Sequence, residues 1–288
     1  MSVWPFATAA AALAVLVFAR KWREPWPRYV LPLAAAALFV AYWHFAVELK
    51  SYDARQLDGS VRRVDVFATP AQSLPGFLEP LRDGTLVRYA IASVYRVAVG
   101  FAIAAFVGIP LGLWAGWYAR GYQTINPLIQ FFRPISPIAW IPVAIVWYGV
   151  RDSAAIFLIV YASLFPIVTG TLNAVRTIPV VYVRSARNFG LTGFELFRRV
   201  IFPACLPQIV ISLRIALGIA WLVIVAAEMC GIESGLGYQI LDARNASNYP
   251  RVVGAMLTIG LIGVALDLAM RRLERLDEVK WGFPKGGA

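Results

Sequence analysis

Apolar residues in this chain come in long blocks separated by charged stretches. The blocks run from about Val3 to Ala19, Tyr29 to Val47, Arg88 to Trp117, Pro127 to Tyr148, Ala154 to Leu172, Leu206 to Met229 and Val252 to Met270. A transmembrane helix needs about 20 predominantly apolar residues to cross roughly 30 Å of hydrocarbon, and tilt absorbs differences in length. The blocks therefore predict an all-α, polytopic transmembrane helical bundle of about seven helices. The polar segment from about Glu48 to Thr85, rich in Asp, Pro and Gly, reads as an extramembrane connection. The first block lacks a basic leading region and a small-residue cleavage site, so it reads as a short retained helix rather than a signal peptide.

Composition agrees with lipid as the solvent. The chain has 288 residues, 60% hydrophobic and 15% charged, against about 45–50% and about 25% in soluble domains. A net charge of +11 could suit nucleic acid, but the positions of the charges argue for a topology signal and no nucleic-acid partner. With Arg20–Arg28 on the cytoplasmic side, alternation puts 118–126, 173–205 and the tail from Arg271 there too. These segments carry fifteen basic residues against five acidic ones. The segments on the opposite side mix the two signs about evenly. By the positive-inside rule the N-terminus is expected outside and the C-terminus inside.

Catalytic chemistry is not offered. Cys205 and Cys230 have no metal or disulfide spacing, and His44 sits among apolar residues as a buried or interfacial side chain. No phosphate loop or nucleophile elbow appears, so no catalytic residue, metal site or cofactor is expected on this chain. The charges inside spans are Arg96, Arg133, Arg214, Glu228 and Asp267, each costing about 2.5–3.5 kcal/mol at a helix centre on insertion scales. They line a pore or gate, or they form buried ion pairs between helices. Arg133, Trp140, Arg214 and Glu228 are the pore candidates, with Arg133 and Arg214 expected near the cytoplasmic ends of their spans. Gly108, Gly112 and Gly116 share one helix face, where small residues admit a close neighbour from this chain or another subunit.

The segment 175–205 carries the densest local specification. Pro179 suits the first turn of a helix. Val180, Val181, Val183, Ala186 and Phe189 make one apolar side of it, and Arg184, Arg187 and Asn188 a polar one. Gly190 stands where a left-handed helix cap is expected. Thr192 and Glu195 fit a capping box for the next helix, and Leu191 and Leu196 a hydrophobic staple. The expectation is a rigid helix–turn–helix facing the cytoplasm.

This segment resembles the EAA loop of permease subunits of bacterial ABC importers, the binding-protein-dependent transport family. That pattern is Glu-Ala-Ala, three residues, Gly, nine residues, then hydrophobic-x-Leu-Pro. The matching positions are Arg184, Ser185, Ala186, Gly190, Val200, Phe202 and Pro203. Arg184, Ser185 and Phe202 depart from the pattern, whereas the spacing, Ala186, Gly190 and Pro203 keep it. The resemblance runs from about Tyr29 to Trp281 and is closest to importers of nitrate, taurine and alkanesulfonates. It includes Arg133-Pro-Ile-Ser-Pro-Ile-Ala-Trp-Ile-Pro142 and Ser234-Gly-Leu-Gly-Tyr-Gln-Ile-Leu-Asp-Ala243.

The resemblance implies a type I ABC importer permease core over 88–288. It leaves 29–87 as a transmembrane helix with a periplasmic segment, and 1–28 as an extra N-terminal helix with a basic cytoplasmic loop. It implies a multi-pass protein of the bacterial inner membrane, surrounded by lipid and paired with a second permease copy. Two cytoplasmic ATPase subunits would hold the ATP and Mg, and a periplasmic or lipid-anchored binding protein would deliver the solute, an anion such as nitrate, taurine or a sulfonate. Tyr182, Val183, Arg184, Ser185, Ala186, Arg187, Phe189, Gly190, Leu191 and Thr192 would then contact the ATPase. A carrier driven by an ion gradient is the rival reading. It would be expected to show inverted repeats and a midplane ion site, and it leaves the capped loop unexplained.

Overall fold

The computed structural model describes residues 30–50, 52–55, 61–64, 67–274 and 279. The predicted first span, the basic loop after it and most of the C-terminal tail lie outside the described residues. The chain divides into two compact units, Met1–Pro70 and Ala71–Ala288.

In the first unit, α1 (Val30–Lys50) is the second predicted span, and His44 is exposed on it. Part of the polar segment then forms a short antiparallel ribbon. β1 (Tyr52–Arg55) pairs with β2 (Val61–Val64), with Tyr52 opposite Val64 and Arg55 opposite Val61. This pair is an addition to the predicted helical plan. Helix α2 (Pro70–Arg82) opens the second unit, with Pro70, the last residue of the first, at its first position, where a missing N–H is harmless.

The second unit holds the remaining helices. They are α3 (Thr85–Trp117), α4 (Ala119–Phe132), α5 (Ile141–Tyr148), α6 (Asp152–Arg176), α7 (Val180–Asn188), α8 (Gly193–Leu196), α9 (Phe202–Met229), α10 (Leu236–Asn245) and α11 (Tyr249–Glu274). A π-helical turn at Phe197–Ile201 joins α8 to α9, so the chain runs as one helical segment from Gly193 to Met229. Four helical segments are long and apolar enough to cross a membrane among the described residues: α3, α6, Gly193–Met229 and α11. Cys205 and Cys230 lie along and just past α9, both as free thiols.

The block Pro127–Tyr148 is not the single straight span that its length predicts. It is broken between α4 and the 3-10 turn Pro137–Trp140 that leads into α5, and the axis bends there by 83°. Pro134 and Pro137 are the cause. Each removes a backbone donor and clashes with the turn before it, and Pro137 also holds its predecessor out of the helical region, whereas Arg133 before Pro134 stays helical. Ser136 accordingly sits at φ −59°, ψ 132°.

Helix α6 is the centre of the bundle, packed between α3 and α9. The glycine stripe of α3 faces α6, so it serves packing within the chain. A methyl group on Gly112 would lie 2.6 Å from Cβ of Thr171, and one on Gly116 would lie 2.7 Å from Cβ of Val175. Gly108 meets Ile167 and Gly100 meets Ile159 in the same way. In lipid, association rests on this closeness of packing rather than on a hydrophobic drive. Val97, Leu158, Ile159, Leu217, Trp221 and Ile224 fill the centre of the core.

Candidate functional site

The segment after α6 folds as a rigid corner. Pro179 takes the N-cap position of α7, one residue before the predicted start, and its carbonyl accepts from the Tyr182 N–H at 3.0 Å. The far end of α7 is closed by a Schellman motif. Gly190 has φ 81° and its N–H donates to the Arg187 carbonyl at 2.9 Å, while the Leu191 N–H donates to the Ala186 carbonyl at 3.1 Å. Positive φ costs a residue with a Cβ roughly 1–2 kcal/mol, so glycine is the residue that lets the chain turn there.

Ala186 is buried against Ala174, Val175, Leu196, Ile201 and Cys205, and Val183 and Leu191 pack on the same cluster. This is the expected inner face. The rest of the apolar side is uncovered: Val180, Val181 and Tyr182 are exposed, and Phe189 is 86% exposed. Arg184, Ser185, Arg187 and Thr192 are exposed beside them. The predicted capping box does not form through side chains. Thr192 has the extended N-cap backbone, but its hydroxyl makes no capping bond. Glu195 reaches forward to Arg199 at 3.0 Å instead of back to the cap.

A second cluster ties the ends of three long helices together. Arg96 on α3 is 2% exposed and Glu228 on α9 is fully buried, with Arg96 Nη1 2.6 Å from Glu228 Oε1. Arg96 Nε donates to Asp152 at the start of α6 at 2.8 Å, and its guanidinium also donates to the carbonyl and hydroxyl of Ser234. Ser93 Oγ donates to the Glu228 carboxylate at 2.8 Å and accepts from the Leu236 N–H at 3.0 Å. The Gly237 N–H completes the shell at 2.9 Å. At Gly235 (φ 107°) a Cβ would collide with the Glu228 carboxylate. The buried cation Arg96 and the buried anion Glu228 are matched inside the chain, which is what a buried ion pair requires, while the second carboxylate, Asp152, is open to solvent. Of the two readings of Glu228, this geometry favours the structural one.

Arg214 is placed likewise. It is 31% exposed and pairs with Asp267 at 2.6 Å and Glu274 at 3.0 Å, both on α11. Arg133 differs from both. It lies at the break after α4 and is exposed, and its side chain has no hydrogen bond or ion pair among the described residues. The Tyr161 hydroxyl donates to the Phe132 carbonyl at 2.8 Å, which sets the break beside residue 161 of α6. That position is about 14 Å from the Asp152 end of the helix and about 22 Å from the Arg176 end. Arg133 is therefore level with the middle turns of α6. Trp140 is half-buried within an aromatic cluster of Trp147, Phe157 and Tyr161, and its indole N–H has no partner among the described residues.

Sequence reasoning missed Ser93, Asp152 and Ser234. The one local signal was the glycine pair 235 and 237, where a carboxylate and a backbone carbonyl approach too closely for any side chain.

Known proteins supply a frame for these sites. Residues 108–276 match the family described as the binding-protein-dependent transport system inner membrane component. The bicarbonate transport system permease protein CmpB of Synechococcus elongatus is 36% identical over 89% of this chain and 92% of its own length. The nitrate import permease protein NrtB of Synechocystis is 34% identical over 87% of this chain and 90% of its own. The putative aliphatic sulfonates transport permease protein SsuC of Bacillus subtilis is 34% identical over 75% and 78%. In fold, the chain resembles a structure of the MetNI methionine ABC transporter in inward facing conformations. The TM-score is 0.61 at 22% identity, over 68% of this chain and 97% of that one. With a bent membrane bundle, a capped surface helix and relatives of this similarity along most of its length, the chain belongs to the inner membrane components of binding-protein-dependent transport systems, the permeases of ABC importers.

Proposed function

We propose that this chain pairs with a second copy in the bacterial inner membrane and forms the route by which an ATP-driven importer takes up a small oxyanion. The N-terminus lies outside and the C-terminus inside, following the distribution of basic residues. A periplasmic or lipid-anchored binding protein delivers the solute. Two ATPase subunits dock at the cytoplasmic corner and hold the ATP and Mg; the permease itself performs no covalent chemistry. The relatives named for bicarbonate, nitrate and aliphatic sulfonates support an oxyanion as the solute. They also favour an importer over a carrier driven by an ion gradient.

The observation that carries this reading is the outer face of α7. Val180, Val181 and Phe189 stand exposed on a helix fixed at both ends, flanked by Arg184 and Arg187. An uncovered apolar patch with a charged rim on a rigid support marks a protein contact. ATP-driven closure of the ATPase pair would carry the two corners together and bias the bundle between two packed arrangements, one open to each side. The closing glycine provides the test. Gly190→Val places a β-branched residue at φ 81° and should turn α7 out of its seat while the spans still insert. Reconstituted with the ATPase and the binding protein, this variant should lose ATPase retention and solute-stimulated hydrolysis. Normal values for both would remove α7 as the transmitting element.

A further inference from the structure

Three arginines lie inside the predicted spans, and the fold pairs only two of them. Arg96 is enclosed by Glu228 and Asp152, and Arg214 by Asp267 and Glu274. Arg133 meets no carboxylate among the described residues and stays on the surface of the unit. A guanidinium well inside a span does not rest against hydrocarbon, because an isolated charge there is strongly unfavourable. It must face a water-filled route, a ligand or another subunit. The backbone beside it makes the same demand. Arg133 is the last residue with a helical bond, the chain from Pro134 to Ser136 is unwound, and in a membrane an unwound stretch is tolerated where it lines a cavity or is covered by protein. Its position is fixed from both sides by Tyr161, which holds the Phe132 carbonyl and packs its ring 5.3 Å from that of Trp140.

We propose that the Arg133 guanidinium is the contact that receives a small oxyanion inside the membrane. This rests on the import function proposed above and adds to it a residue and a ligand chemistry. A planar guanidinium presents paired N–H donors that match two oxygens of one anion, a match that a lysine ammonium makes only as a point charge. With no carboxylate among the described residues to displace, Arg133 can take up and release an anion without breaking an ion pair there. Arg96 and Arg214 cannot.

The test uses the full complex of permease, ATPase and binding protein in proteoliposomes, with nitrate, hydrogencarbonate and ethanesulfonate offered in turn. Failure of the unaltered complex to accumulate any of the three overturns the function on which this inference rests. Where it accumulates one, Arg133→Gln should lower uptake of that anion by about 10- to 100-fold, the loss of one charge-assisted contact. Subunit stoichiometry and stimulated hydrolysis should persist. Arg133→Cys, made together with Cys230→Ser, gives a second readout. Cys205 is fully buried and stays in place. A cationic methanethiosulfonate should restore uptake to Arg133→Cys, and an anionic or neutral one should not. Unimpaired uptake by Arg133→Gln, equal rescue by the neutral reagent, or loss of the second permease copy would each overturn the proposal. The last would assign Arg133 to a contact between subunits.

Discussion

Arg96 and Arg133 look alike along the chain, each a lone cation in an apolar block. In the folded molecule they are opposites. Arg96 is closed in by two carboxylates and a serine drawn from three other segments, so its charge is consumed in holding α3, α6, α9 and the turn before α10 together. Arg133 stands at a helix break with its charge uncommitted. The cost of placing a charge in a span is common to both. What separates them is whether the fold or something outside it offsets that cost, and only the second case leaves a charge available for transport.

Removing each charge in turn should grade the difference. The largest effect is expected at Arg96→Met, which leaves Glu228 buried without its cation; breaking such a pair by removing one partner costs about 3–5 kcal/mol. Thermal denaturation in detergent should show a large fall, or the protein should fail to accumulate. Adding Glu228→Leu should recover part of the loss, because the stranded charge is then gone. If Arg96→Met is as stable as the parent chain, the cluster is not holding the helices.

Arg214→Met should give a smaller fall in the same assay. Its partners Asp267 and Glu274 remain partly open to solvent, and Arg271 stays 3.0 Å from Asp267 as a second cation. The smallest effect belongs to Arg133→Met, which should denature at the parent temperature, since no side-chain bond among the described residues is lost. A fall there as large as that of Arg96→Met would erase the distinction between the two arginines.

How much of this was legible depends on how local the determinants are. The spans α3, α6, Gly193–Met229 and α11 follow from block lengths alone. Gly190 was readable because a left-handed cap excludes side chains, and the cap follows directly after the last helical residues. The partner of Arg96 was not readable, because Glu228 lies 132 residues away and Asp152 lies 56 away. Nothing in an apolar block states which distant carboxylate will reach it. Thr192 and Glu195 show the opposite failure. Their spacing satisfies the capping pattern, yet Arg199 one turn further on competes for the carboxylate. Pro134 and Pro137 marked the break, but total apolar length hid it, since a bent pair and a straight helix of the same residues have the same hydropathy.

The glycine face of α3 has a mechanical consequence. Its four close approaches to α6 join residues separated by the same interval along the chain: Gly100 to Ile159, Gly108 to Ile167, Gly112 to Thr171 and Gly116 to Val175. All four pegs are β-branched, with few rotamers to yield. The two helices run side by side in one direction as a keyed pair, which can neither slide by a residue nor roll about its own axes without forcing a peg into backbone. If α7 is the docking helix as proposed, a stroke delivered there would pass along this pair as along a plank. The compliance of the transporter is left to the places where the ladder of helical bonds is already interrupted, the π turn at Phe197–Ile201 and the bend at Arg133–Ser136.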